Sequence, residues 1–381
     1  MLTPSLYFHI PFCHGKCRYC SFYSTEPASD TQVKDLLKTE LTELKQRLTP
    51  HHSGTIPTIY IGGGSPSVIH KHLPEFIEKI RNLLNKLSIS FEKAEFTVEI
   101  NPGDINRDFL RQLSELGVNR ISIGTQSFAE EELRLLGRRH NVADIYNAVE
   151  NCLAVGLSNI SLDLIFALPN QTLAQWQDNL NRAIELDPRH ISVYSLTWEP
   201  GTEFDRARAL GQLKPAEDTL DREMYYLALD TLAEAGIQQY EISNFARGGY
   251  ESRHNIRYWD DEEYIGIGPS AGSHIANSRW TSIADISKYI NCIDNNSTTY
   301  DEVFSSTAEE NIRHAAILAL RKNQGINIDL FHKRFGISPL EYFQNEIKEN
   351  INSGLLKHSG NHIHLTRKGL SFADSVSLDF I

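Results

Sequence analysis

Along the first two thirds of this sequence, short β-branched or apolar runs alternate with longer stretches of helical period, and few folds are open to a chain that does so. Parallel strands cannot be joined by tight turns; each needs a crossover, usually a helix lying on the sheet. The strand candidates are Ser5 to Ile10, Thr58 to Ile61, Glu95 to Ile100, Arg120 to Gly124, Asn159 to Phe166 and Ile191 to Thr197, with a further one near Gln239 to Ile242. Turn residues and then a helical pattern follow each. In the first of these helices Val33, Leu37, Leu41, Leu44 and Leu48 form one apolar stripe behind Ser29 or Asp30 as N-cap, and the other face is charged.

Six such units fit either an open doubly wound sheet or a barrel, and both place chemistry at the C-terminal ends of the strands. Polar residues recur there: a cysteine loop after Ile10, Gly62 to Ser67, Glu99 with Asn101, Gln126, and Asp163 within its strand. Their convergence predicts an α/β fold, a partial (βα)6 TIM-like barrel with a central site. Beyond about residue 300 the rhythm stops. Thr307 to Arg321, Asp329 to Phe335 and Pro339 to Ser353 read as helices, and Ile363 to Leu365 as a short strand before a last helix. That is the pattern of a small winged-helix-like α+β domain. The expected division is a barrel over 1–240, a connecting region over 241–300 and the C-terminal domain over 301–381.

At 381 residues the chain can bury one large core and a smaller one. Its net charge of -12 opposes a phosphate backbone, and from Asp301 onward nine Lys and Arg face ten Asp and Glu, so the winged-helix pattern carries no basic patch for nucleic acid. No apolar run has the length of a membrane span and the N-terminus lacks a signal-peptide pattern, so a cytoplasmic protein is expected. Cys152 and Cys292 stand alone, but Cys13, Cys17 and Cys20 are crowded into one loop, which points to a metal centre rather than a disulfide framework.

That loop reads Cys13-His14-Gly15-Lys16-Cys17-Arg18-Tyr19-Cys20, a C-x3-C-x2-C triplet. Three thiolates can ligate three irons of a cubane and leave the fourth iron without a protein ligand. Zinc is the competitor; a structural zinc site wants four ligands, and with no second cysteine pair downstream only His9 or His14 could complete it.

The triplet, with an aromatic residue before its last cysteine, resembles the signature of radical S-adenosylmethionine (SAM) enzymes. The resemblance implies a [4Fe-4S] cluster on Cys13, Cys17 and Cys20, with SAM on the open iron. Gly62-Gly63-Gly64-Ser65-Pro66-Ser67 is similar to the family's GGG-T/S-P loop, which places Gly63, Gly64 and Ser65 near the methionine end of SAM. Glu99 lies where the family sets a carboxylate against the SAM ribose. Gln126, Arg138 and Asp163 match further SAM positions of one subfamily, and so do Tyr7 at the methionine end and Tyr19 at the adenine.

That subfamily holds oxygen-independent coproporphyrinogen III dehydrogenase and the HemW-type heme chaperones. Leu6 to Cys13, Asp163 to Pro169 and Leu196 to Thr202 carry the likeness. Phe22 stands where the dehydrogenase has a further cysteine, and the first strand is expected within ten residues of the start, where the dehydrogenase carries an N-terminal extension; both departures point to the chaperone branch. His254-Asn255-Ile256-Arg257-Tyr258-Trp259 resembles the HNxxYW motif of the chaperones, which implies heme at His254, Asn255, Tyr258 and Trp259. An imidazole is a good axial ligand and Tyr and Trp offer flat faces to a porphyrin. The resemblance thus implies a heme chaperone with a heme-accepting protein, an electron donor and a homodimer among its partners, the dehydrogenase being the alternative. The stretch Tyr264 to Gly272 has the glycines of a dinucleotide loop, but Pro269 occupies the place where a helix should open and no acidic residue follows at the required distance.

Overall fold

Six parallel strands form the centre of the chain, whose computed structural model describes residues 4–48 and 54–381. They are β1 (Ser5–Ile10), β2 (Thr58–Gly63), β3 (Glu95–Ile100), β4 (Arg120–Gln126), β5 (Ile160–Phe166) and β6 (His190–Ser195), each paired with the next in sequence. Their side chains alternate. Leu6, Phe8, Ile59, Ile61, Val98, Ile121, Ile123, Leu162, Leu164 and Ile191 face outward into a core shared with the crossover helices. The positions between them, among them Tyr60, Thr97, Glu99, Arg120, Ser122, Ser161, Asp163, His190 and Ser192, line an inner cavity. A parallel sheet is ordinarily apolar on both faces. A polar inner face has to turn toward a wet lumen, so the sheet curls into a partial barrel rather than being doubly wound.

The crossover helices dock as their patterns require. Helix Asp30–Arg47 begins at Ser29, whose hydroxyl accepts from the Gln32 amide, and buries Val33, Leu36, Leu37 and Leu44. A capping box of Asn141 and Asp144 opens helix Val142–Ala154, and another of Thr172 and Gln175 opens Leu173–Glu185.

The segment after residue 240 does more than connect. β7 (Gln238–Glu241) and β8 (Asn244–Ala246) extend the sheet antiparallel beyond β6. The chain then crosses to the opposite edge, where β9 (Tyr264–Ile267) pairs parallel with β1, and β10 (Gly272–Ile275), β11 (Ser278–Thr281) and β12 (Phe304–Ser305) follow antiparallel. Among the described residues twelve strands make one open sheet. The crossing contains helix Arg253–Trp259, which lies across the N-terminal end of the lumen.

In the C-terminal part, helix Ala308–Leu320 opens on a capping box of Thr307 and Glu310. It is followed by β13 (Ile326–Asn327), helix Ile328–Phe335, and a hairpin of β14 (Leu356–Ser359) and β15 (His362–Leu365), with β15 in the middle of three strands. The single helix expected over Pro339 to Ser353 is two, Pro339–Tyr342 and Gln344–Asn352. Phe343 leaves helical geometry at φ -109 and ψ 37, and its ring is wholly buried against Phe331 and Phe380. The last helix likewise divides into Arg367–Leu370 and Ala373–Asp379. This part docks onto the crossing segment: Lys322 pairs with Asp260, Arg334 with Asp261 at 2.7 Å, and the Arg321 guanidinium lies 4.5 Å above the Trp259 ring. Among the described residues no helix is long and apolar enough to cross a membrane.

Candidate functional site

The loop that leaves β1 is held from several sides. Cys13 donates its amide to Thr25 O at 3.0 Å, Thr25 returns one to Pro11 O at 2.8 Å, and Arg18 N reaches Leu136 O at 3.1 Å. Within the loop Cys20 N donates to Cys17 O at 3.2 Å. The glycine loop after β2 closes against it, with Gly64 N on Ile10 O and Ser65 N on Phe12 O, both at 2.8 Å. Only glycine permits this approach: a Cβ on Gly64 would stand 2.7 Å from Phe12 O, and Gly63 has φ +112. The result is a cavity of about 590 Å³ at the C-terminal ends of the strands, lined by Cys13, Cys17, Tyr19, Cys20, Gly63, Gly64, Ser65, Glu99, Gln126, Arg138 and Asp163. Every residue that the family resemblance places on cluster or SAM is therefore brought together, with the exception of Tyr7, whose hydroxyl is turned to His9 Nδ1 at 3.0 Å.

Arg138 ties the cysteine loop to the sheet. Its Nη2 donates to Asn101 Oδ1 and to Gly124 O, each at 2.7 Å, and its Nη1 stands 3.5 Å from Cys17 Sγ. Its Nε is buried with no partner among the described residues. Burial pushes the Cys13 thiol up to about 11 and raises Cys20 as well. With both thiols held up by burial, Cys13 and Cys20 need a cationic centre beside them to become thiolates.

Glu99 accepts from the Tyr60 hydroxyl at 2.6 Å and from Gly63 N at 3.2 Å. Burial pushes its carboxyl up to about 7, the nearby Asp163 adds to this, and the Tyr60 and Gly63 hydrogen bonds oppose it. Asp163 accepts from Ser122 Oγ at 2.9 Å and is also raised by burial. The donor set fits a cubane and a nucleotide-like ligand better than zinc. Both ring nitrogens of His9 are engaged, by Tyr7 OH and by Tyr23 O at 3.0 Å each, and His14 Nε2 faces Asp104 at 3.5 Å. Among the described residues no three His, Cys, Asp or Glu side chains converge on a single-ion position, whereas a cubane takes its thiolates on three different irons.

The far end of the lumen is closed by helix Arg253–Trp259. The Glu95 carboxylate accepts from Arg253 N and His254 N, both at 3.0 Å, and so caps the helix from the start of β3. His254 is 1% exposed; its Nδ1 meets Thr58 Oγ1 at 2.7 Å, its Nε2 meets Tyr258 OH at 2.8 Å, and its ring stacks on Tyr60 with centroids 5.0 Å apart. Burial, with Arg257 adding to it, pushes this imidazole down to about 3, so it is neutral with both nitrogens occupied. In this conformation it offers no lone pair to heme iron. Asn255 lines the large cavity, while Tyr258, Trp259 and Tyr7 line a second one of about 300 Å³. Sequence reasoning missed Tyr60, Glu95, Arg120 and His190, which join the two ends of the lumen. The signal was the strict alternation of polar and apolar residues in Glu95-Phe96-Thr97-Val98-Glu99-Ile100 and in the strands beside it.

Comparison with known proteins gives two family matches: the radical SAM superfamily over residues 7–183 and the HemN C-terminal domain over 306–372. The chain is 35% identical to the heme chaperone HemW of Bacillus subtilis, covering 98% of this chain and 97% of that one. It is 38% identical to the heme chaperone HemW of Escherichia coli over 71% of this chain and 69% of the other. Its fold resembles that of coproporphyrinogen III oxidase (HemN) from Escherichia coli, with a TM-score of 0.85 at 24% identity, covering 99% of this chain and 90% of that one.

Proposed function

Because the chain belongs to the HemW family within the radical SAM superfamily, we propose that it is a heme chaperone, which binds heme and hands it to an acceptor protein while carrying a [4Fe-4S] cluster and SAM. The observation that carries the reading is the likeness to HemW chaperones along nearly the whole chain, joined to a strand-end cavity into which all three cysteines of the triplet face.

In that reading Cys13, Cys17 and Cys20 hold the cluster. When bound, the cluster and SAM would supply an iron without a protein ligand and one-electron chemistry at that end of the cavity. Arg138 sets its guanidinium against Cys17 and offsets thiolate charge. Gly63, Gly64 and Ser65 bring backbone close to the methionine end, as their tight packing on the cysteine loop allows. Glu99, oriented by Tyr60, accepts from the ribose hydroxyls; Gln126 and Asp163 complete the polar wall, and Tyr19 covers the adenine. Clustered thiols suit a reducing compartment, which supports a cytoplasmic location; an electron donor and a second copy of the chain are the further partners we propose. The functional division we propose is a cofactor-holding part over 1–240, a cargo segment over 241–300 and a docking part over 301–381.

The test is anaerobic reconstitution with iron and sulfide, followed by heme titration and, separately, incubation with coproporphyrinogen III, SAM and a reductant. A visible iron-sulfur spectrum lost in the triple Cys13, Cys17, Cys20→Ala variant, a Soret shift on adding heme, and no decarboxylation are expected. Decarboxylated product would replace this reading with the dehydrogenase; failure to take up either cluster or heme would end it.

A further inference from the structure

Tyr60 stands at the middle of β2, between the strand-end cavity and the helix that closes the other end of the lumen. Its hydroxyl donates to Glu99 Oε1 at 2.6 Å while Gly63 N donates to Oε2 at 3.2 Å, so each carboxylate oxygen has one donor from the protein and a lone pair left over. Two such lone pairs side by side suit a vicinal diol. A Cβ on Gly62 would lie 2.8 Å from the Glu99 carboxyl and from Tyr60 Cε1, so both side chains rest directly on its backbone.

The Tyr60 ring also faces the closing helix. It lies on the His254 ring, with centroids 5.0 Å apart and planes 29° from parallel, and Tyr7 stands 6.1 Å from the one and 6.5 Å from the other. Thr58, two residues before Tyr60 on β2, gives its hydroxyl proton to Ser5 Oγ at 2.8 Å and so accepts from His254 Nδ1 at 2.7 Å; Nε2 then accepts from Tyr258 OH at 2.8 Å. The imidazole, 1% exposed, cannot turn without giving up hydrogen bonds in a place closed to water. Tyr60 therefore meets Glu99 through its oxygen and an anchored residue of the helix through its face.

We infer that Tyr60 is a positioning residue that couples the two ends of the lumen: a diol-bearing ligand on Glu99 holds the Tyr60 ring, and the held ring steadies His254 and with it helix Arg253–Trp259. The inference rests on the reading that SAM binds at Glu99, and it adds how SAM regulates the cargo segment. Coupling between two sites is reciprocal, so opening the helix weakens SAM by the same factor by which SAM suppresses that opening. The groups about Glu99 agree on its charge. Asp163 on β5, itself faced by Arg120 of β4 and Tyr194 of β6, raises the carboxyl, and the Tyr60 hydrogen bond lowers it. Tyr7 on β1 and Tyr258 on the helix feel that charge and, raised chiefly by burial, stay neutral phenols.

The test compares full-length, cluster-reconstituted wild type with Tyr60→Phe, which keeps the ring on His254 and deletes the bond to Glu99. Calorimetry gives SAM affinity across pH, and amide hydrogen exchange is followed with and without saturating SAM. In wild type, SAM should slow exchange over 253–259 about fivefold or more, the low end of ordinary coupling. In Tyr60→Phe that protection should vanish while protection of the glycine loop at 62–67 stays. The rise of SAM affinity with pH should also move above its wild-type midpoint of about 7, because the hydrogen bond that lowers the Glu99 carboxyl is gone. A side chain that merely packs would move neither. Glu95→Gln, which loosens the same helix from its capping end, should weaken SAM in turn. The inference is overturned if Tyr60→Phe keeps the wild-type protection at saturating SAM, if SAM binds wild type without slowing 253–259, or if Glu95→Gln binds SAM unchanged. Cluster-loaded wild type that binds no SAM at all would instead sink the proposed function, and the calorimetry alone would show it.

Discussion

Glu99 stands where its ionisation decides what it can do. With its carboxyl pushed up to about 7, it is half protonated at neutral pH, and only the ionised form accepts from two ribose hydroxyls. SAM affinity of the reconstituted protein should therefore rise roughly tenfold between about pH 6 and about pH 8. In Glu99→Gln that Glu99-dependent slope should vanish; calorimetric titrations at several pH values check it, and equal slopes in both proteins would exclude the role. Glu40 makes the complementary case in the core. It is wholly buried, both its oxygens lack partners among the described residues, and burial with the neighbouring Glu43 raises it well above the ordinary carboxyl range. Its folded-state pKa exceeds the unfolded one, so its contribution to stability is full below the unfolded pKa of 4.5 and is lost as pH rises toward the folded value. Glu40→Gln escapes that loss. Its melting temperature should gain on wild type as pH is raised from about 5 to about 8, and a constant gap would show that Glu40 finds a charged partner.

Among the elements, helix Arg253–Trp259 depends most on a residue far away in sequence. Glu95 accepts from its first two amides, so Glu95→Gln should cost about 1–2 kcal/mol in urea unfolding and speed hydrogen exchange in 253–259 before it affects the rest of the chain. A uniform change along the chain would mean the cap is dispensable. The strands of the barrel were legible because a half-polar strand advertises its period: β1 and β3 fall on the expected residues, β2, β4 and β5 differ by one or two at one end, and β6 by one or two at both. The cysteine loop, the glycine loop and Glu99 were legible because their chemistry needs those residue types. β8 to β12 were not. At two to four residues each they are too short to show a period, and β9 and β10 flank glycines that read as loop. The break at Phe343 was also hidden, since only the small core around Phe331 and Phe380 makes burying that ring worth a helical turn. His254 was assigned to heme through the likeness of residues 254–259 to the HNxxYW motif, and a motif does not show that Thr58 Oγ1 and Tyr258 OH meet the two ring nitrogens.

For the molecule as a whole, the two parts are held together by a few polar contacts of unequal weight. Asp261 is 3% exposed as a side chain and serves Arg279 and Arg334 together, so Asp261→Asn, which keeps a residue tolerant of its φ of 54, should cost about 2–3 kcal/mol. The Arg367–Asp230 pair is more than half exposed on both sides, and Arg367→Ala should change stability by under about 0.5 kcal/mol. Chemical denaturation of the two variants checks both numbers, and reversed magnitudes would mean the parts are joined elsewhere. The crossing segment has a mechanical consequence. It leaves the sheet at β8, beside β6, and rejoins it at β9, beside β1, so it acts as a chord strung across the open side of a curved wall. Its seven-residue helix is about 10 Å long and cannot stretch without melting. The span of that strut thus limits how far the wall can flatten, and lengthening the strand-to-helix leader at 247–252 by a few glycines would let the curvature relax and the strand-end cavity splay with it.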